Sequence, residues 1–228
     1  MFEQVNGFAL TQLSERTIVM PRLSVYFTWL CLVLGASALA ASADSQVQGY
    51  FRELRSLQAD FTQTILDERS RTLETSRGQM FMQKPGRFRW DYRQPPSQLI
   101  VADGQRMWLY DKELQQVTVR LLDKALSATP LALLSGAAPL EDAFVVSGSG
   151  VRDGLQWYEL RPKEEQPEFK KLRVAFNGDV LQIIELEDAF NQRTRLSFEH
   201  LQRNVPIDPE LLRFVPPQGV DVVGDVPR

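Results

Sequence analysis

The chain has 228 residues, with 26 Lys+Arg against 29 Asp+Glu, 43% hydrophobic residues, and one Cys and one His. That length fits one domain, or at most two small ones, with a sizeable core. A formal charge of -3 gives no electrostatic basis for nucleic-acid or anionic-membrane binding, while one Cys and one His exclude an internal disulfide, a CxxC redox pair and a His-rich zinc site. Any Cys–His or Ser–His–Asp catalysis would have to use Cys31 or His200.

Val25 to Ala40 reads VYFTWLCLVLGASALA, apolar and uncharged, with Arg22 before it. Small-x-small cleavage signals follow at Ala38-Leu39-Ala40 and Ala41-Ser42-Ala43. The run is short for a spanning helix, and its flanks fit a secretory signal peptide over residues 1–43. Counting from Met20 gives a compact leader with Pro21-Arg22 as its basic end, so residues 1–19 read as an over-long start. Cleavage after Ala43 leaves residues 44–228, without a cysteine. Cys31 lies in mid-run behind Trp29-Leu30, where an acylation site would need a small residue, so it reads as a bystander.

The mature chain opens on a helix. Val47, Tyr50, Phe51, Leu54 and Leu57 recur at helical spacing, with Asp44 and Ser45 as capping candidates, which predicts a helix over about 44–58. Gly49 inside it costs about 1 kcal/mol, so it needs a partner to lie on. Strand patterns dominate afterwards. Phe88, Trp90 and Tyr92 alternate with Arg87, Arg89, Asp91 and Arg93. Leu99–Ala102 and Met107–Tyr110 are apolar on both parities, and Val117 and Val119 alternate with polar neighbours.

Leu121–Leu140 breaks the pattern. Thr129-Pro130 is a helix start and Gly136 a stop, around apolar Leu131, Leu133 and Leu134. Strand patterns resume at Phe144–Ser147, Leu155–Arg161, Phe169–Phe176, Val180–Glu187, Thr194–Leu201 and a short Arg213-Phe214-Val215. Asp103-Gly104, Asp153-Gly154 and Asn177-Gly178 supply hairpin turns. The plan is one helix, about six strands, a short helical insert over about 121–136, and about five more strands. That describes a mainly β fold: an open, half-barrel antiparallel sheet of about eleven strands with short helices as its lid. Parity alone favours a filled space beneath the lid.

Several stretches resemble the LolA family of periplasmic lipoprotein carriers. They are Ala59-Asp60-Phe61-Thr62-Gln63, the run Gly78–Trp90 (GQMFMQKPGRFRW), the run Leu99–Tyr110 (LIVADGQRMWLY), Thr129-Pro130, Asn191-Gln192-Arg193-Thr194, and Phe214–Val222 (FVPPQGVDV). They run in family order over essentially the whole mature chain. The Lys-Pro-Gly-x-Phe-x-Trp and Asp-Gly-x-x-x-Trp-x-Tyr pieces together are specific; either alone is weak. The resemblance implies a monomeric, non-enzymatic carrier of the periplasm, with no cofactor, no metal and no nucleic-acid partner. It would take acyl chains of lipoproteins from the inner-membrane ABC transporter LolCDE and deliver them to the outer-membrane receptor LolB.

The resemblance also implies roles for residues. Lys84 occupies the place where many members carry an Arg that hydrogen-bonds to lid backbone and holds the empty carrier closed. Lysine keeps the charge but lacks the planar fork, so its latch is expected to be looser; an ordinary strand-end lysine is the alternative. Phe88, Trp90, Tyr92, Met80, Met82, Trp108 and Tyr110 are cavity-wall or mouth candidates, and Leu54, Leu57, Leu131 and Leu134 are lid contacts. Flexible Met and broad aromatics suit exchangeable lipid contacts, though such residues are more often plain core than ligand contacts.

The remaining polar groups point away from catalysis. His200 shares parity with Leu196 and Phe198 and reads as a satisfied or edge-facing histidine. Glu185, Glu187 and Asp188 near a turn read as a solvated face rather than a glycosidase pair. A membrane-anchored receptor of the same fold would need an acylatable Cys where Asp44 stands. A lipid-sensing periplasmic regulatory domain on the same half-barrel is the alternative to a carrier.

Overall fold

The computed structural model describes residues 46–94, 97–122, 134, 139–163 and 169–225. The expected signal peptide and most of the expected lid insert, Leu131 included, lie outside the described residues. Among the described residues no helix is long and apolar enough to cross a membrane.

The first helix, α1, covers residues 46–53. Val47, Tyr50, Phe51 and Leu54 follow its buried side at helical spacing, each 6% exposed or less. It stops earlier than its periodicity predicts, and Leu57 belongs to the first strand. The reason is tertiary. Asn204 Oδ1 accepts from the Arg55 and Ser56 N–H groups at 2.8 and 3.4 Å, and Asn204 Nδ2 donates to Glu53 O at 3.1 Å. These bonds satisfy groups that a continuing helix would have paired internally. Leu57 then joins Ala59 and Phe61 in a period-two pattern.

Twelve strands form one sheet: β1 (Ser56–Leu66), β2 (Thr72–Gln83), β3 (Arg87–Gln94), β4 (Gln98–Asp103), β5 (Arg106–Asp111), β6 (Gln116–Leu121), β7 (Phe144–Arg152), β8 (Leu155–Pro162), β9 (Phe169–Asn177), β10 (Val180–Asp188), β11 (Arg193–Arg203) and β12 (Asp221–Gly224). A four-residue helix, α2 (Leu140–Ala143), precedes β7, and a 3-10 turn (Pro209–Leu212) follows β11. The order is β12-β6-β5-β4-β3-β2-β1-β11-β10-β9-β8-β7. Two meanders, β1–β6 and β7–β11, are therefore sewn together by antiparallel pairing of β1 with β11. The sheet is open, with β7 and β12 at its edges. All pairs are antiparallel except β12 with β6.

One hairpin turn forms at its expected dipeptide: Asp153 and Gly154 both have positive φ, at 55° and 75°, as a type I′ turn requires. At the other two, Asp103 and Asn177 end β4 and β9, and the turns lie one residue further on, at 104–105 and 178–179. The end of the chain differs from expectation. Arg213-Phe214-Val215 is irregular and the last strand lies further on, at Asp221–Gly224. Gly224 is needed there, because a side chain would meet the Val119 carbonyl oxygen at 2.2 Å.

Alternation gives the sheet two faces. The inner face carries the main core, which includes α1, Phe61, Met80, Met82, Phe88, Trp90, Phe176, Ile184 and Phe198. On the outer face of β5 and β6, Trp108, Val117 and Val119 form a separate cluster, covered by Phe214, Val220 and Val222. This explains why Met107–Tyr110 is apolar on both parities: Met107 packs inward and Trp108 outward. Further along the outer face, a row of cross-strand partners runs Glu159–Arg173–Glu185–Arg195 over β8 to β11.

Candidate functional site

The inner face of β1–β3 is laid out in rows by its register. Leu57, Met82 and Phe88 form one row; Ala59, Met80 and Trp90 the next; Phe61, Gly78 and Tyr92 a third. Gln63 and Ser76 make a fourth. Met80, Met82, Phe88 and Trp90 are 2% exposed or less. The Phe61 ring lies 4.8 Å from Trp90 and 5.0 Å from Tyr92. Gly78 makes this possible, since a Cβ there would come within 2.8 Å of the Phe61 ring. Rings gathered at such distances pack edge-on or offset, which suits their quadrupoles.

Helix α1 contributes Val47, Tyr50, Phe51 and Leu54 to this same core. Tyr50 stacks edge-on against Phe51 and Phe176, at 5.3 and 5.0 Å. Burial pushes its hydroxyl pKa up to about 12, against the opposing Arg203 charge. From the lid insert, Leu122 and Leu134 are helical and buried in the same cluster. The space between α1 and the sheet is thus occupied by the protein's own side chains.

Lys84 stands at the end of β2 and reaches α1. Its Nζ donates to the Phe51 carbonyl oxygen at 2.6 Å, and its backbone N–H donates to Arg55 O at 2.8 Å. The last carbonyls of a helix carry partial negative charge, so a cation there is favoured. Burial lowers the Lys84 pKa from its ordinary 10.5. The ammonium is half-buried and its bonded partner is a carbonyl, so this contact is a charge-assisted hydrogen bond rather than an ion pair.

Two expected wall residues lie elsewhere. Trp108 and Tyr110 belong to the outer-face cluster, where Phe214 packs 5.8 and 6.0 Å from their rings. Their parity places them opposite Met107 and away from the α1-covered face. Trp108 Nε1 donates to Asp103 Oδ2 at 3.0 Å, locking the β4–β5 turn. The Asp-Gly-x-x-x-Trp spacing is therefore a turn device. Leu54 and Leu57 both join the main core, the first after α1 and the second on β1.

His200 is exposed instead of sharing the face of Leu196 and Phe198. The β1–β11 register shifts between Gln58 and Asp60, His200 takes a φ of 52°, and the bulge turns it outward. There its Nδ1 lies 2.9 Å from Asp60 Oδ2. Glu185 is 2% exposed rather than solvated. It accepts from Arg173 at 2.9 Å and from two Arg195 nitrogens at 2.9 and 2.7 Å. Burial alone would push its carboxyl up, but the hydrogen bonds and charges of Arg195 and Arg173 overcome this and leave it below the ordinary 4.5. Asn204, the clamp on the α1 exit, carries no sequence signal of that role.

A groove of about 260 Å³ separates α1 from the β9–β10 turn, lined by Gln46, Tyr50, Glu53, Asp179 and Arg203 among others. It marks where the helix meets the second meander.

The family model of the outer membrane lipoprotein carrier protein LolA matches residues 52–215. An outer-membrane lipoprotein carrier protein of Methylococcus capsulatus is 42% identical over 190 residues, which cover 83% of this chain and 91% of the relative. The corresponding protein of Nitrosospira multiformis is 37% identical, with 88% and 97% covered. A solved LolA superfamily protein from Nitrosomonas europaea aligns at a TM-score of 0.44 and 12% identity, over 77% of this chain and 98% of its own. On the sequence matches, which span nearly the full length of both partners, the chain belongs to the LolA family of outer membrane lipoprotein carrier proteins.

Proposed function

We propose that this protein carries lipoproteins across the periplasm by holding their acyl chains against the inner face of the sheet, after removal of residues 1–43 as a signal peptide. The observation that carries the reading is the α1-covered apolar face of Met80, Met82, Phe88 and Trp90, closed by the Lys84–Phe51 hydrogen bond. In this reading the cargo comes from an inner-membrane ABC transporter of the LolCDE type and passes to an outer-membrane receptor of the LolB type. The protein works as a monomer, without catalysis or cofactor.

The energetics require such a device. At about 0.8 kcal/mol per CH₂, a sixteen-carbon chain costs about 12 kcal/mol to expose to water, and lipoproteins carry up to three. Escape through water is too slow, so the chain must move from one apolar surface to another. Among the described residues the inner face beneath α1 is filled, so cargo enters by displacing α1. The cargo's apolar contacts then replace the protein's own. This keeps binding modest, because the area gained from cargo is offset by the area lost from α1. Modest binding is what delivery to a tighter receptor needs.

The test compares purified residues 44–228 with an acylated lipoprotein and with its deacylated form. Binding of the acylated form alone, with release of a bound apolar dye, supports the reading. Equal indifference to both forms overturns it.

A further inference from the structure

The rows of the inner face change character along β1–β3. At the Lys84 end they are wholly apolar: Leu57, Met82 and Phe88, then Ala59 and Met80. At the other end they become polar, through Tyr92, Gln63 and Ser76. Trp90 lies at the change. Its ring is 2% exposed, and its Nε1–H is buried without a hydrogen-bond partner. The Tyr92 hydroxyl oxygen is near enough to feel the indole N–H, but the pair falls short of full hydrogen-bond geometry. That hydroxyl donates to Gln63 Oε1 at 2.9 Å.

A buried indole N–H without a partner is unusual, since nearly all buried donors are paired. Trp is a poor choice for a merely apolar wall, because Phe would fill much of the volume without an N–H to satisfy. The donor therefore asks for a better-placed acceptor than the Tyr92 oxygen supplies in this structure. An acyl chain attached to a lipoprotein brings one: each ends in an ester or amide carbonyl at the N-terminal cysteine. Such a carbonyl is a hydrogen-bond acceptor with no donor of its own on an ester.

We propose that Trp90 Nε1, with the Tyr92 hydroxyl and Gln63, forms a subsite that takes the ester or amide carbonyls of the cargo, so that the chains run from there toward Met80, Met82 and Phe88. The inference rests on the carrier reading and gives it a direction. Tyr92 is suited to the part. Burial, helped by nearby Glu74, raises its pKa, so its hydroxyl stays protonated and able to donate. Gln63 supplies an amide with both donors and an acceptor, which can regroup as a carbonyl arrives. The subsite would hold the cargo's head group at one end of the face, away from the Lys84 latch. Specificity then comes from the linkage chemistry as well as from chain length.

The experiment uses residues 44–228 with two synthetic cysteinyl lipopeptides of equal chain length, one with ester-linked chains and one with ether-linked chains that lack those carbonyls. The proposal expects the wild-type protein to bind the ester lipopeptide about tenfold more tightly, as one good hydrogen bond allows. Trp90→Phe keeps an aromatic ring and removes the N–H. It should erase most of that preference by weakening the ester form more than the ether form. Gln63→Leu should reduce the preference in the same direction. The Trp90 indole proton resonance should move downfield with the ester lipopeptide only. Equal wild-type affinity for the two, or an equal loss of both in Trp90→Phe, overturns the subsite and leaves the carrier reading standing. Failure of both lipopeptides to bind overturns the carrier reading and the subsite with it.

Discussion

Lys84 holds α1 through one donor on one carbonyl, where an Arg in its place could engage more than one. A hydrogen bond from a charged group contributes about 1.5–3 kcal/mol when well buried, and less at a half-buried site. Replacing it by Leu therefore shifts the closed–open balance of the empty protein by about 1 kcal/mol, or roughly fivefold. The closed state competes with cargo, so weakening it lengthens cargo retention. Lys84→Leu is expected to release acylated lipoprotein to a receptor several-fold more slowly, and Lys84→Arg at least as fast as Lys84. Transfer rates in the two variants check this, and an unchanged rate in Lys84→Leu would remove the latch role. The position of Lys84 was legible from its Lys-Pro-Gly-x-Phe-x-Trp setting. Its bonding partner was not, because Phe51 lies 33 positions away. Trp108 and Tyr110 show the opposite failure: their strand reads as apolar on both parities because residues on both its faces are packed, so parity could not choose between them.

Strands β8 to β11 share one electrostatic element. Glu159, Arg173, Glu185 and Arg195 are successive cross-strand partners, and Glu185 at the centre is nearly inaccessible. Opposite charges placed directly across a strand pair reinforce the pairing. The Glu185 carboxyl titrates below its ordinary 4.5, so the folded state binds its proton less readily than the unfolded chain. Its contribution is therefore fully present above pH 4.5 and is lost as pH falls through the lower folded value. Glu185→Gln should cost about 1–3 kcal/mol at neutral pH, because it leaves two arginines without their shared partner. It should also flatten the acid limb of stability, so that the gap between wild type and variant narrows as pH falls through the lower folded value. Urea unfolding at pH 7 and at pH 3.5 measures both effects; a constant difference at the two would contradict the assignment. This element was half legible, since the acidic residues were visible but the arginines come from neighbouring strands. The end of α1 was hidden for a similar reason: Asn204 stops it from 149 positions away.

For the whole molecule, the alternating runs and Asp-Gly or Asn-Gly turns made an open antiparallel sheet with a helical cover legible. The pairing of β1 with β11, which joins the two meanders, could not be read, because register between distant strands leaves no local mark. Nor could β12, whose parallel pairing with β6 depends on a contact rather than a pattern. The assembled fold supports the proposed exchange: apolar side chains of α1 occupy the face that acyl chains would take. Residues 44–228 contain no cysteine, which permits two engineered labels. Arg52 on α1 and Lys170 on β9 are both exposed, so labels there leave the core intact. The distance between spin labels at these positions is to be measured in the empty protein, with deacylated lipoprotein, and with acylated lipoprotein. It should lengthen with the acylated form alone. An acylated lipoprotein that binds while the distance stays unchanged would contradict the exchange.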